Sequence, residues 1–313
     1  MVGDGRRRAR AGRRRGALPV DRPRRAHARR RVPQVHGPAP GGRRRRGARR
    51  VTAAAPVVRQ TAALAWRSII TTVRLPQAWF PALFFPLVLM AIFTASFGGA
   101  PGAVPGFPPV RGFLDFAVCG AIVQGVLIGG TSAGAAFATD IEGGFFDRLV
   151  ASPISRVAIL TGRLGASMAL GLFQAVLFVG IAWIFGARVD GGITGFLIVL
   201  LIAVIFAAAV GGLGVYLALR TGSGEAVQGM FPLFFALLFF SSAFFPIETM
   251  TGWYAAIARV NPISWLVESM RLEIIGGATL GTTMAGIGTA LALAAITIGA
   301  SAIALKRRLR VAA

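Results

Sequence analysis

The residues with chemistry to offer stand together in ATDIEGGFFDRLVASPISR, residues 138–156, a charged and glycine-hinged stretch between two long apolar runs. It holds Asp140, Glu142, Asp147 and Arg148 beside Phe145, Phe146 and Leu149. Hydrolytic or metal chemistry would need partners that the sequence does not supply. His27 and His36 sit in an arginine-rich N-terminal stretch without further ligands, and the one cysteine, Cys119, lies inside an apolar run. No disulfide forms within one chain, no metal-ligand cluster is legible, and no catalytic residue is assigned. The stretch suits recognition better. Asp140 can cap a short helix, and Gly143 and Gly144 let the backbone turn or approach a partner closely. Phe145, Phe146 and Leu149 offer an apolar surface, and Asp147 and Arg148 can set register through charged hydrogen bonds. Two outcomes remain open: a surface for a second protein, or a loop folding its phenylalanines onto the lipid interface.

The source of any driving force is constrained as well. The apolar runs carry almost no ionisable groups: Asp115 is at the edge of one and Glu225 precedes another, while Gln124 and Gln174 do not titrate. Ion-coupled transport usually needs a carboxylate, His or Lys at membrane depth. A phosphate loop of the form GxxxxGK[ST] is impossible, because the sole lysine, Lys306, follows Leu305. If the chain moves a solute uphill, a second protein must supply the energy. An ion-coupled secondary transporter or a channel is the alternative.

These residues are positioned by an all-α membrane protein. Of 313 residues 55% are hydrophobic and 14% charged, and several uncharged runs are long enough to cross the bilayer. Residues 1–50 contain 19 arginines against 2 aspartates, +17 of the net +23, with few large apolar side chains, and read as disordered. This segment is an arm for anionic surfaces, a solvated orienting tail, or absent because translation starts near Val51. It lacks the interleaved aromatics of a specific nucleic-acid binder, so nucleic acid is not an expected partner. Residues 57–75 read as an amphipathic helix in the membrane surface. Arg59, Gln60, Arg67, Thr71 and Arg74 fall within an arc of about 120°, opposite Val58, Trp66, Ile69 and Val73. Residues 80–305 hold six expected spans: Phe80–Phe97, Leu114–Ala138, Leu164–Phe185, Ile193–Leu219, Val227–Phe245 and Thr282–Leu305. Ser152 and Pro153 are expected to start the third helix. The basic run at 306–313 and the other arginines beside the spans put both termini in the cytoplasm of a multi-pass cell-membrane protein.

Between the last two spans, Asn261 is a suitable helix cap with Pro262 in the first turn, and Glu268 and Arg271 can pair on the helix surface. Pro246 breaks the preceding helix, and Trp253, Tyr254 and Trp265 suit a membrane interface. The second span carries GxxxG spacings at Gly125/Gly129 and Gly130/Gly134, suited to close packing, most simply within one subunit. Gln124, Thr131, Ser132 and Gln174 are candidates to line a pathway.

TDIEGGFFDRLVASPISRVAILTGRL resembles the loop and following helix of ABC-2-type permeases, closest to their daunorubicin-exporter-like branch. FFPIETMTGWYAAIARVNPISWLVESMR, residues 244–271, is similar to the segment between that family's last two spans, and the resemblance runs from about Arg59 to Leu305. It implies six spans, a cytoplasmic interfacial helix and two permease units paired with two separate ATPase subunits. ATP and Mg would be bound by those subunits, and this chain would bind no cofactor. It further implies that Asp140, Glu142, Phe145, Phe146, Asp147, Arg148 and Leu149 form the coupling contact. Pro246, Trp253, Asn261, Pro262, Trp265, Glu268 and Arg271 would belong to a short re-entrant outer gate. The implied cargo is an amphiphile such as a drug, lipid or glycolipid.

Overall fold

The computed structural model describes residues 56–311, and the expectations for residues 1–50 lie outside them. Every regular element among the described residues is helical. The helices are α1 (Val57–Val73), α2 (Pro76–Phe97), α3 (Phe113–Glu142), α4 (Phe145–Val150), α5 (Arg156–Ile184) and α6 (Gly192–Thr221). They continue as α7 (Gly224–Gln228), α8 (Phe231–Phe239), α9 (Gly252–Val260), α10 (Pro262–Ile275) and α11 (Leu280–Val311), with a 3₁₀ turn at Ile247–Thr249.

Five helices, α2, α3, α5, α6 and α11, are long and apolar enough to cross a bilayer. The expected span at 227–245 is not one helix. It divides into α7 and α8 around Gly229–Met230, and α8 ends at Phe239. Pro232, in the first turn of α8, has no N–H to give the carbonyl four residues back, so the helix restarts there. The other spans run longer than the apolar runs suggested. The basic run from Lys306 forms the last turns of α11 rather than a separate tail. The helix after the 138–156 stretch starts later than Ser152. Ser155 is its cap, accepting from the Ala158 N–H at 3.0 Å, whereas Ser152 donates to Leu149 O at 2.6 Å and closes α4.

α3 is the axis of the bundle. Nearly all of its apolar stretch is buried inside the protein, whereas most of α2 and α11 faces outward. It packs against α2, α5 and α6, and α6 packs in turn along α11. Its glycines make this possible. A Cβ on Gly130 would lie 2.3 Å from the Val210 side chain, and one on Gly134 would lie 2.6 Å from Gly214 Cα. The GxxxG spacings thus serve contacts within one chain.

α2 contains Pro81 and Pro86. Pro86 cannot donate to Ala82 O. Gln174, fully buried on α5, repairs the gap: its Nε2 donates to Ala82 O and to Gly125 O, each at 3.1 Å. Gln174 therefore joins three helices rather than facing a pathway. α1 has three stripes instead of two. Arg59 and Arg67 are exposed, as are Val58, Trp66 and Val73 on another side. A third stripe packs on α5, with Leu64 and Ala65 against Gly162 and Gly165, and Thr61 paired with Thr161 at 3.1 Å.

The α3–α6 contact predicts that Gly134→Val lowers unfolding free energy by about 1–3 kcal/mol or more through overpacking. Gly288→Ala, whose added Cβ meets nothing within 4 Å, does not lower it. Reversible denaturation in mixed micelles, followed by far-UV circular dichroism, measures both.

Candidate functional site

The 138–156 stretch folds into a corner built on α4. Gly144, at φ 66°, supplies the left-handed turn that redirects the chain after α3, a conformation strained for a side-chain-bearing residue. The phenylalanines turn inward onto protein. Phe146 is 2% exposed and meets Phe137 edge-to-face at 5.7 Å, so it is an anchor and not the open surface the sequence suggested. The Arg67 guanidinium of α1 lies 3.8 Å above the Phe145 ring. Arg308 of α11 stands 5.8 Å from the Phe146 ring and donates to Leu219 O at 3.1 Å. Asp140 does not cap a helix; it pairs with Arg163 of α5 at 3.0 Å, both largely shielded. Glu142 accepts from the Gly224 N–H at 3.0 Å and so fixes the start of α7. Leu149 is half-buried, whereas Asp147 and Arg148 are exposed. The seven predicted residues thus divide into Asp140, Phe145, Phe146 and Leu149, turned inward in whole or part, and the exposed Glu142, Asp147 and Arg148. Arg163 and Arg308 were legible only as positive charges beside spans, because their partners come from other helices.

At the other end of α3, α9 and α10 complete the truncated α8. The last carbonyls of a helix lack internal donors. Here they are met one by one: Phe240 N–H donates to Ala236 O at 2.9 Å, Ser241 Oγ to Leu238 O at 2.5 Å and Tyr254 Oη to Phe239 O at 2.5 Å. Partial burial pushes the Tyr254 phenol above its usual range. Asn261 does double duty. Its Oδ1 accepts from the Ile263 N–H at 2.9 Å as the cap of α10, with Pro262 in the first turn. Its Nδ2 donates to Leu237 O at 2.7 Å and Phe240 O at 2.9 Å. Arg271 pairs with Glu268 at 2.5 Å as the spacing suggested, but not on the surface. Arg271 is 1% exposed, lies 3.6 Å over the Phe116 ring and donates to Ser242 O at 2.8 Å. Glu273, also buried, accepts from Thr283. Asp115 accepts from the Arg188 N–H at 3.2 Å. Charge is thus buried at this end, beyond what the apolar runs indicated. Pro246 is buried ahead of the 3₁₀ turn, while Trp253 and Trp265 are exposed, Trp265 donating to Arg259 O at 2.8 Å.

A crevice of about 690 Å³ opens between α2, α3 and the α7–α8 pair. Thr131 and Ser132 line it, together with Phe85, Thr139, Gln228 and Phe231. None of its lining residues is ionisable. Gln124 lies elsewhere, buried beside a void of about 10 Å³, with no hydrogen bond to Nε2.

Residues 59–274, more than half of the chain, match the family described as ABC-2 type transporter. The daunorubicin resistance ABC transporter permease protein DrrB1 of Streptomyces coeruleorubidus is 29% identical over 226 residues, covering 72% of this chain and 78% of that protein. The inner membrane transport permease YadH of Escherichia coli K12 is 26% identical over 208 residues, 65% of this chain and 79% of its own.

The double duty of Asn261 separates two substitutions. Asp is as good a helix cap as Asn, yet Asn261→Asp loses both donors and sets a carboxylate against two carbonyls. It should cost about 2 kcal/mol or more, at least as much as Asn261→Ala, in the same denaturation assay. A cap-only role would leave Asn261→Asp close to wild type.

Proposed function

The chain belongs to the ABC-2 type transporter family, and on that premise we propose that it is the membrane subunit of an ATP-driven exporter. It carries an amphiphilic substrate (a drug, lipid or glycolipid) out of the cytoplasm, powered by a separate ATPase that holds ATP and Mg. Two such membrane subunits, identical or homologous, pair with two ATPase subunits. Six crossings are completed by α7–α8, both termini are cytoplasmic, α1 lies in the inner interface, and α9–α10 form the re-entrant outer gate.

The observation that carries this reading is the construction of α4. Its inward side is tied to α1 through Arg67 and Phe145, to α3 through Phe137 and Phe146, and to α11 through Arg308. Asp147 and Arg148 are left in solvent. A helix held this way transmits a push instead of yielding to it. Glu142 extends the connection by fixing the first N–H of α7, whose neighbours Gln228 and Phe231 line the crevice. Movement of an ATPase bound to Asp147 and Arg148 would shift α4 with the ends of α3 and α5, and would reach the crevice wall through α7. The uncharged crevice suits cargo selected by shape and partition.

Asp147→Arg tests this with little risk to the fold, since the residue is exposed. Co-purification with the separately encoded ATPase should fall at least tenfold and ATP-dependent transport in proteoliposomes should be lost, with the thermal stability of the isolated chain unchanged. Transport by the purified chain alone on a proton or sodium gradient would sink the proposal.

A further inference from the structure

A second cavity system lies beside the α2–α3–α8 crevice and shares wall residues with it. Beneath the end of α1, an apolar pocket of about 340 Å³ is walled by Ile69, Val73, Trp79, Leu170 and Phe173. That volume is at the lower end of the range of small-molecule sites. Through Thr72, Ala166 and Leu170 it shares its wall with an inner chamber of about 160 Å³. Through Leu75, Ser132, Ala136 and Thr139 the chamber in turn shares its wall with the crevice.

The chamber differs from the pocket in chemistry. It is lined by Thr71, Thr72, Ser132, Thr139 and the Asp140–Arg163 pair. The threonine hydroxyl protons are already committed to backbone: Thr71 donates to Arg67 O at 2.9 Å, Thr72 to Ser68 O at 3.0 Å and Thr139 to Ala135 O at 3.2 Å. Their oxygen lone pairs are what remains for a ligand. Arg163 is turned onto Asp140 at 3.0 Å and towards the Phe137 ring at 5.2 Å. The chamber therefore offers acceptors, from three threonine hydroxyls and a carboxylate, with the Ser68 and Ser132 hydroxyls able to serve either way, next to a pocket that is apolar but for Thr72. Along α5 the polar part is at Arg163, near the α4 corner, and the apolar part at Leu170 and Phe173, further into the span.

We infer that the pocket under α1 and its inner chamber form a binding site for an amphiphile with a hydrogen-bond-donating head, an amine or a hydroxyl. The head sits against Thr71, Thr139 and Asp140, and the apolar body lies along Leu170 and Phe173. This deepens the exporter reading and rests on it. With α1 in the inner interface, the site takes such a molecule from the cytoplasmic leaflet and hands its head past Ser132 and Thr139 to the crevice.

The test uses 12-bromododecylamine and the fluorescence of Trp79, which lines the pocket. The full chain, with Trp66, Trp183, Trp253 and Trp265 replaced by Phe, is placed in lipid nanodiscs. The tail bromine should quench Trp79 saturably. Ala169→Phe, which fills the pocket, should remove the saturable part. Thr71→Val should weaken it roughly three- to tenfold, as loss of one hydrogen bond would. The trimethylammonium and carboxylate analogues of the same chain length should each bind about tenfold more weakly or worse. Quenching unaltered by Ala169→Phe would reduce it to bilayer partition and overturn the inference. Equal or tighter binding of the carboxylate would overturn it too, by showing Arg163 as the reader of the head. None of these measurements needs ATP or a partner, so a failed ATPase association is a separate result against the exporter reading. Full ATP-driven efflux in Ala169→Phe, with the complex intact, would show that the site is off the route.

Discussion

Hydrocarbon offers no hydrogen bonds, so each interruption of a membrane helix has to be repaired by the protein itself. The bundle is organised by that requirement. Pro86 opens α2, and Gln174 closes the gap from α5. α8 stops short, and Ser241, Tyr254 and Asn261 meet its last carbonyls. Ser301 of α11 donates to Gly212 O of α6 at 2.6 Å, and Arg308 to Leu219 O at 3.1 Å. Polar side chains that would be conspicuous in a soluble core are here the donors that let helices bend, end or restart within an apolar surround.

The arrangement sets one long, closely packed helix beside several short ones. α3 has so many close glycine contacts with its neighbours that it cannot shift without its surroundings. The α7–α8 turn is closed by backbone hydrogen bonds, Gly229 N–H to Glu225 O and Met230 N–H to Val227 O, whereas α10 starts from the Asn261 side chain. Turns are where a few dihedrals can absorb a large change of direction. Glu142 ties the first of these helices to the α4 corner, and Asn261 and Arg271 tie the last to the far end of α8. The crevice lies between α2, α3 and the α7–α8 pair.

Charge is distributed to match. The crevice wall is uncharged. The buried charges gather at the far end, where Arg271 lies between Glu268, Ser242 and the Phe116 ring. Removing one member would leave a buried charge or carbonyl unmet, at a cost well above that of an exposed ion pair. Arg271 therefore pins α10 to α3 and to the turn after α8.

By itself, the sequence determined the helical class, the amphipathic start, the long apolar crossings, the charged and glycine-hinged corner at 138–156, the Asn261–Pro262 helix start and the Glu268–Arg271 spacing. These rest on period, composition and neighbours within a few residues, which a one-dimensional reading contains. It did not determine that Gln174 and Asn261 mend broken helices, that Phe146 points inward, that Asp140 belongs to Arg163, or that Arg271 is buried. Each of those depends on partners between 9 and 92 residues away. Nor could composition show that one apolar run divides into α7 and α8, because its side chains suit hydrocarbon whether the backbone is continuous or broken. Tertiary packing decided these points, since only the folded bundle brings the donor that a broken helix needs to the carbonyl that lacks one.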